Sequence, residues 1–203
     1  MNSSYEETNA NENDSDIKKY LDSWYKQNIE AKGLSEYIAD AGFCNDRSLS
    51  TRANNGDGVQ TTDKTTFYSG YTRYYETHSP ILTCPNPTND LFTTSTSNTG
   101  NKELTYPIGL ITVDELMLGG LSDGYLNRLS YTYSSYSYWT MSPSHFSVPN
   151  TAAYEFHAYS VGSASNYWVT SSLGVRAVIN LKGNVKISGG IGSANDPFAV
   201  KTI

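Results

Sequence analysis

The residues of this chain best suited to contact a ligand lie between positions 129 and 173. This segment of 45 residues contains seven of the 17 tyrosines, two tryptophans, two of the three histidines and one charged side chain, Glu155. Tyrosine combines a large, rigid contact surface with a hydroxyl that donates or accepts a hydrogen bond, and serine adapts around it. The segment therefore indicates a binding surface. Because tyrosine is also a common strand residue, an ordinary sheet covered with tyrosine is the alternative interpretation.

Alternation along the chain divides these residues between two faces of an extended strand. Within 153–163, Phe156 and Ala158 share one face and fit a core, whereas His157, Tyr159 and Ser163 fall on the other. Tyr154 has the parity of the core residues, and a bulge at the start of the strand is expected to turn it outward. The predicted ligand-binding set adds the flanking loops and the preceding tyrosines. It comprises Tyr131, Tyr133, Tyr136, Ser144, His145, Asn150, Tyr154, His157, Tyr159, Ser163, Asn166, Tyr167 and Trp168.

Groups that catalyse reactions or bind metals are sparse. None of His78, His145 and His157 has the spacing of a metal-binding motif, and the sequence contains no nucleophile elbow, P-loop or dinucleotide-binding motif. Asp114-Glu115 is interpreted as the acidic first turn of a helix, and Asp46-Arg47 as a loop ion pair or turn. We therefore predict a protein that is not an enzyme and uses no metal or cofactor.

Composition restricts the class of partner. The 203 residues carry 14 basic and 20 acidic side chains, which gives a formal net charge of −6. Such a chain is unsuited to nucleic acid and to anionic membranes, and no apolar run approaches the roughly 20 residues that span a bilayer. The expected partner is therefore a protein or glycan ligand.

An extracellular location is favoured by the same composition. Charged residues make up only 17% of the chain, and Tyr, Ser, Thr, Asn and Gly take their place. The first 16 residues lack the basic and apolar regions of a signal peptide. We expect an extracellular or cell-surface protein whose export signal or anchor is not contained in this sequence.

The two cysteines allow at most one disulfide. Cys44 and Cys84 lie outside any C-x-x-C pair, which disfavours a structural zinc site. Two free or buried thiols are one alternative. The extracellular composition favours the other, a Cys44–Cys84 bridge.

The elements that must position these residues begin with helices. After a flexible segment 1–14, apolar residues recur with the helical period, and Ser15 or Asp14 can cap the helix that they predict from Ser15 or Asp16. Gly33 ends this region, and a short helical turn follows at 34–38. Thr112 and Glu115 form a capping-box pattern that opens a helix at 113–118, which Gly119-Gly120 stops. The apolar face of the first helix is Ile17, Tyr20, Leu21 and Trp24.

Strands and loops account for the rest of the chain. We expect a long surface loop over 45–66, short strands or irregular structure rather than helix over 67–106, and a strand at 108–111. Segment 125–181 alternates with the β period, and 174–181 is rich in β-branched residues. Helices first and strands later predict an α+β fold with two helices on a twisted antiparallel sheet, in one domain from 15 to 203.

A set of segments distributed over most of the chain from residue 15 onward carries a resemblance to known sequences. These segments are 38–48, 82–86, 90–95, 104–120, 138–144, 174–182 and 195–200. Together they resemble a family of uncharacterised domains found in secreted and surface proteins of gut Firmicutes, and this resemblance implies secretion or surface display.

Segments 139–143 and 174–176 carry a second, more distant resemblance. They resemble the C-type lectin fold of formylglycine-generating enzymes and of variable proteins of diversity-generating retroelements. The resemblance implies a C-type-lectin-like fold with Trp139 and Arg176 in structural roles. Arg176 is expected to be a buried or partly buried residue that donates hydrogen bonds to several carbonyls. The resemblance also implies that 129–173 is a variable binding region, whose sequence a diversity-generating retroelement can change. The catalytic cysteines of formylglycine-generating enzymes and the calcium-binding motifs of calcium-dependent lectins have no counterparts in this sequence.

These observations favour a non-enzymatic adhesin or receptor-type domain that presents a Tyr/Ser-rich surface. A pilin or other surface-assembly subunit is the alternative. A glycan-active enzyme is a third reading, and it would need two carboxyl groups about 5–10 Å apart in a cleft.

Overall fold

The computed structural model describes residues 14–57, 64–95, 100–148, 150–193 and 195–202. The predicted flexible segment 1–14 lies outside the described residues except for Asp14. The four α-helices among the described residues are α1 Asp16–Asn28, α2 Ser69–Thr72, α3 Pro87–Asp90 and α4 Val113–Leu118. The strands are β1 Ile38–Ala39, β2 Phe43–Cys44, β3 Thr66–Phe67, β4 Leu91–Phe92, β5 Tyr138–Ser147, β6 Ala152–Tyr159, β7 Ser163–Trp168, β8 Asn180–Leu181, β9 Val185–Gly189 and β10 Ala199–Thr202.

An antiparallel sheet of four strands, in the order β3-β5-β6-β7, is the largest element of the described chain. Three antiparallel pairs accompany it: β1 with β8, β2 with β4, and β9 with β10. Few helices and mostly antiparallel strands make this an α+β fold, as predicted. No helix in the described part of the chain is long and apolar enough to cross a membrane.

Helix α1 begins where its sequence predicts. The hydroxyl of Ser15 accepts a hydrogen bond from the Lys18 amide at 3.2 Å and caps the helix. The buried face is formed by Leu21 and Tyr25 and continues to Ile29. The prediction that Tyr20 belongs to this face is wrong, since its side chain is 57% exposed. Consecutive residues of an α-helix point about 100° apart around the axis, so Tyr20 points away from the direction of Leu21.

Apolar clusters lie on both sides of the sheet. On one side, Phe156 and Ala158 of β6 pack with Val113 and Leu116 of α4, and all four are at most 2% exposed. On the other side, Trp139 of β5 joins the cluster built around α1. The core positions predicted at Phe156 and Ala158 are thus confirmed.

Residues 69–77 are helical, which contradicts the expected strands or irregular structure over 67–106. Helix α2 continues into a π-helix at Arg73–Thr77, and His78 ends it with φ 49°. Tyr74 is fully buried in this segment, and its hydroxyl donates to the Ala164 carbonyl at 2.8 Å and accepts from the Ala164 amide at 3.2 Å. Because this long-range contact fixes Tyr74 against β7, the local preference of tyrosine for strands is overridden.

Two predicted strands are reduced to short pairings. Within 108–111 only Gly109 forms a bridge, to Val178, and of 174–181 only Asn180–Leu181 pairs as a strand, with β1. Part of the predicted surface loop 45–66 is also ordered against β3, because the Asn55 side chain accepts from the Phe67 amide at 2.7 Å and donates to the Phe67 carbonyl at 3.0 Å. These segments therefore connect elements of the fold.

The single disulfide joins Cys44 of β2 to Cys84, and the two Cα atoms are 5.6 Å apart. This confirms the predicted bridge. It ties the β2–β4 pair to the segment that follows the helical residues 69–77.

Candidate functional site

One face of strands β6 and β7 collects polar and aromatic side chains, and we call it the β6–β7 face. Antiparallel register places Glu155 opposite Tyr167, His157 opposite Ser165, and Tyr159 opposite Ser163. Directly opposed residues project from the same side of a sheet. These six residues therefore share the side opposite Phe156 and Ala158. The face consists of Glu155, His157, Tyr159, Ser163, Ser165 and Tyr167.

The two tyrosines of the β6–β7 face stand above a buried histidine. Tyr159 and Tyr167 are 44% and 48% exposed, whereas His157 is 6% exposed. The His157 ring lies edge-on to both tyrosines, with centroid distances of 5.6 and 6.1 Å, and to Trp139 at 6.0 Å. Nδ1 of His157 has no hydrogen-bond partner among the described residues. Buried polar atoms without a hydrogen bond are uncommon in folded proteins, which makes this ring an unusual feature of the sheet.

Glu155 adds an acidic group to the β6–β7 face. Its side chain is partly buried and forms no hydrogen bond or ion pair within the described chain. Burial raises the pKa of Glu155 to about 8. It also lowers the pKa of His157, and that of His145 elsewhere on the sheet, to about 4. At neutral pH the face is therefore largely uncharged.

The predicted binding set does not form one surface. His157, Tyr159, Ser163 and Tyr167 lie together on the β6–β7 face, although His157 is buried and does not project into solvent as expected. The remaining members divide between the opposite side of the sheet, the interior and two loops.

Four predicted residues lie on the opposite side of the sheet: His145, Tyr154, Asn166 and Trp168. The rings of His145 and Tyr154 stack at 4.2 Å, and the Trp168 indole donates to the Tyr154 hydroxyl. Asn166 donates to the Tyr75 hydroxyl at 2.9 Å. The expected bulge at Tyr154 is wrong, because the irregularities of register lie in β5 and Tyr154 keeps the parity of Phe156.

Ser144 is fully buried, so its prediction as a contact residue is wrong. Its neighbours in β5 alternate regularly in burial, and Ser144 has the parity of the buried positions. Asn150 is exposed in the turn between β5 and β6. The sequence does not distinguish these two positions, because both are small polar residues near a strand end.

The predicted tyrosines 131, 133 and 136 lie in a loop before β5. Tyr131 and Tyr136 are 76% and 78% exposed, and Tyr133 is half-buried. The loop is held against the turn between β6 and β7, where the Asn127 amide donates to the Gly162 carbonyl at 2.6 Å. Gly162 has φ +99°, and a Cβ there would lie 3.0 Å from the backbone of residues 127 and 128. These tyrosines therefore flank the end of the sheet that carries Tyr159.

The two residues given structural roles both contact the framework. Trp139 is 2% exposed within the α1 cluster. Arg176 donates to the carbonyls of Thr132 at 3.1 Å and Tyr131 at 3.4 Å, and its guanidinium lies 5.5 Å from the centre of the Tyr138 ring. Arg176 is nevertheless exposed rather than partly buried. It fixes the tyrosine loop from the solvent side.

Glu155 and Ser165 belong to the β6–β7 face but were absent from the predicted set. Both could have been found from strand parity. Glu155 lies two positions from His157 and four from Tyr159, and Ser165 lies two positions from both Ser163 and Tyr167, so each shares a side of the sheet with those residues. The unpaired state of Glu155 has no signal in the sequence, because it depends on which distant residues surround the carboxyl.

A recess of about 270 Å³ lies beside the disulfide, away from the β6–β7 face. Its charged lining is Arg73, Asp114 and Glu115. Arg73 binds Asp114 through two hydrogen bonds, of 2.6 and 2.8 Å, and lies 2.9 Å from Asp46. Glu115 closes the capping box with Thr112. These carboxylates therefore already have partners, and within the described chain no group of His, Cys, Asp and Glu could hold a metal.

Asp46 and Arg47 do not pair with each other, although the Asp46 side chain accepts from the Ser48 amide at 3.0 Å, as in the turn that was the other interpretation. Asp46 pairs with Arg73, whereas Arg47 pairs with Asp90, with its Nε 2.7 Å from the Asp90 Oδ1 atom. Adjacent residues on an extended segment point in different directions, so each charge finds its partner elsewhere in the chain.

No family, curated protein or solved structure matches the chain.

Stability should pass through a maximum near pH 6.5. From pH 6.5 to 8 the folded chain holds a proton on Glu155 that the unfolded chain, in which the pKa of this carboxyl has its ordinary value of 4.5, has lost. Unfolding free energy then falls as pH rises, by at most about 1.4 kcal/mol per pH unit, and by less because the carboxyl is partly exposed. Below pH 6.5 the two histidines of lowered pKa, His145 and His157, reverse the slope: the unfolded chain binds their protons first.

Urea unfolding at a series of pH values between 5 and 9 measures this dependence. The control is Glu155→Gln, which should remove the decline above pH 6.5 and leave the rise below it. Stability that continues to rise up to pH 8 in the unmodified protein would contradict the prediction.

Proposed function

We propose that this chain is a non-enzymatic binding domain of the adhesin or receptor type, and that the β6–β7 face captures a protein or glycan ligand. The observation that carries the proposal is the pair of half-exposed rings, Tyr159 and Tyr167, above a buried His157 that lacks a partner for Nδ1 among the described residues. Aromatic faces pack against apolar surfaces of proteins and sugars, and the tyrosine hydroxyls supply directional hydrogen bonds.

The rigidity of the framework supports a binding role. Both tyrosines project from paired strands, and Phe156 and Ala158 fix the other side of β6 in the core. Rings held in this way lose little conformational freedom when a ligand binds. The loop with Tyr131 and Tyr136 extends the same edge of the molecule, so a large ligand can contact both regions.

The location and wider relationships belong to the same proposal. A disulfide is typical of oxidising compartments, which supports an extracellular or cell-surface domain. The α+β arrangement is compatible with a C-type-lectin-like fold, and we retain diversification of 129–173 by a retroelement as part of the hypothesis. Sequencing of the genomic neighbourhood for a reverse transcriptase and a template repeat tests that origin.

Replacing Tyr159 and Tyr167 together by alanine should abolish ligand capture and change the melting temperature by only a few degrees. Binding is measured on a glycan array and against purified bacterial and host surface proteins, with circular dichroism for stability. The matched control is Tyr20→Ala, which removes a 57% exposed ring from α1 and should leave binding intact. Capture that survives in the double variant would exclude the β6–β7 face as the binding surface.

A further inference from the structure

We propose that the segment between α4 and β5, residues 119–137, is the contact surface of a two-fold dimer, in which it packs against the same segment of a second copy of this chain. We call this segment the α4–β5 loop. Two observations carry the inference: a group of large apolar side chains exposed on a fixed backbone, and a pair of opposite charges that makes the loop complementary to itself. The dimer goes beyond the proposed binding role and does not depend on it.

Hydrogen bonds fold the α4–β5 loop back onto the end of α4. The Ser130 hydroxyl donates to the Gly119 carbonyl at 2.5 Å, and the Asn127 side chain donates to the Gly120 carbonyl at 3.2 Å. Thr132 is buried under the loop, so close to Gly119 that a Cβ at this glycine would lie 2.9 Å from the Thr132 side chain. The backbone is therefore held at several points, and the large side chains of the loop remain on its outer surface.

These outer side chains form an extended apolar surface. Their exposed fractions run from 55% at Leu118, the last residue of α4, to 97% at Leu129. With about 200 Å² for a tyrosine side chain and about 100 Å² for a leucine, they expose about 650 Å². This slightly exceeds the roughly 300–600 Å² of the largest apolar patch on a typical monomer, and larger patches mark interaction sites. The side chains are Leu118, Tyr125, Leu126, Leu129, Tyr131 and Tyr136.

The exposed area is sufficient for a dimer. A two-fold contact that covers this surface on both copies removes up to about 1,300 Å² from water, which is above the roughly 1,000 Å² that a specific interface needs. Tyrosine is also enriched at protein–protein interfaces. Because the interface lies at the small end of the standard range, we expect micromolar rather than nanomolar affinity.

Charge favours a second copy as the occupant. The whole chain has a net charge of −6, so two copies repel each other over most of their surfaces, whereas the α4–β5 loop carries only Asp123 and Arg128 and is neutral. Both side chains are exposed, and neither forms an ion pair within the described chain. In a two-fold contact, Asp123 of each copy faces Arg128 of the other, so the same ion pair forms twice.

A membrane surface and a glycan fit the α4–β5 loop less well. Attraction to anionic lipids needs a cluster of basic side chains, and the loop has one arginine. The exposed leucines offer a sugar no hydrogen bond, while they pack well against apolar side chains of another protein.

Analytical ultracentrifugation of the full chain from about 1 to 500 µM tests the dimer. We expect a dissociation constant of about 100 µM or lower. Leu129→Asp should weaken the dimer about tenfold or more, because it places a charge without a partner in the contact. The matched control is Leu82→Asp, which changes a leucine 73% exposed beside the disulfide and should leave the dimer unchanged.

Charge reversal tests the two-fold geometry. Asp123→Arg and Arg128→Asp should each weaken the dimer about fivefold or more, because each variant places like charges opposite each other. The variant with both reversals should regain most of the affinity, since the ion pairs form again with exchanged positions. Residues that serve only the fold of the monomer would not show this rescue in the dissociation constant.

Circular dichroism establishes that each variant is folded, and Tyr136→Ala provides a second apolar variant that should also weaken the dimer. A chain that stays monomeric up to about 500 µM, a dimer unaffected by Leu129→Asp, or a double reversal that restores nothing would each overturn the inference. Co-sedimentation of a monomeric chain with phosphatidylcholine vesicles, lost in Leu129→Asp, would assign the loop to a membrane surface instead. None of these outcomes affects ligand capture by Tyr159 and Tyr167, which is measured separately.

Discussion

Replacing Arg73 by methionine is expected to lower the unfolding free energy by about 3–5 kcal/mol, because it leaves two buried carboxylates without their cation. The side chain is 12% exposed, and those of Asp46 and Asp114 are 10% and 6% exposed. Burial alone would lower the pKa of Arg73, yet hydrogen bonds and charge from Asp114 and Asp46 raise it. The guanidinium therefore stays charged and holds three segments together.

Urea unfolding measures this loss, with Arg128→Met as the control. Arg128 is exposed and makes one long hydrogen bond, of 3.4 Å, to the Val161 carbonyl, so its replacement should cost no more than about 0.5 kcal/mol. Adding Asp46→Asn and Asp114→Asn to the Arg73 variant should restore part of the stability, since the unpaired charges are removed. A loss below about 1 kcal/mol for Arg73→Met would show that water reaches and solvates these carboxylates.

Removing the disulfide is expected to cost about 4 kcal/mol. Cys44 and Cys84 are 40 residues apart, and the chain-entropy relation gives roughly this value for a loop of that length. Thermal and urea unfolding of the Cys44→Ser, Cys84→Ser double variant measures the change. Each single variant should lose a similar amount, because either one opens the loop.

Dithiothreitol provides the control for this experiment. The reducing agent should destabilise the unmodified protein to the level of the double variant and leave the double variant itself unaffected. A double variant as stable as the unmodified protein would mean that native contacts alone constrain the segment between β2 and residue 84.

Local signals predicted the parts of the fold that are determined by neighbours in sequence. Thr112 and Glu115 specify the start of α4 by themselves: the Glu115 amide donates to the Thr112 hydroxyl at 3.1 Å and the Thr112 amide donates to the Glu115 carboxylate at 2.8 Å. The alternation of Phe156 and Ala158 likewise identified the buried side of β6. Both patterns need only a few consecutive residues to be recognised.

Contacts between distant residues determined what the sequence did not show. Tyr74 became helical and buried because Ala164, 90 positions away, binds its hydroxyl. The predicted binding set was divided between two sheet faces because its members in β6 and β7 have both parities. Tyr154, Asn166 and Trp168 lie on the side opposite Tyr159 and Tyr167, since the pairing of these two strands is regular and no bulge turns Tyr154 outward.

Only part of the candidate site could be predicted from the sequence. Tyr159, Ser163 and Tyr167 follow from parity, whereas the burial of His157 depends on Trp139 from another strand. The raised pKa of Glu155 results from its burial in the assembled fold. Electrostatic environment is a property of the assembled fold, and composition alone indicates only that charges are few in this region.

The Tyr74 hydroxyl has a consequence for polymerisation. It occupies the amide and carbonyl of Ala164 at one margin of the four-stranded sheet, while Ser50 and Asn55 occupy those of Phe67 at the other. Backbone groups occupied in this way are closed to an incoming strand from a second molecule, the step by which sheets extend into fibres. At these two positions, a filament of such subunits would have to grow through side-chain surfaces instead.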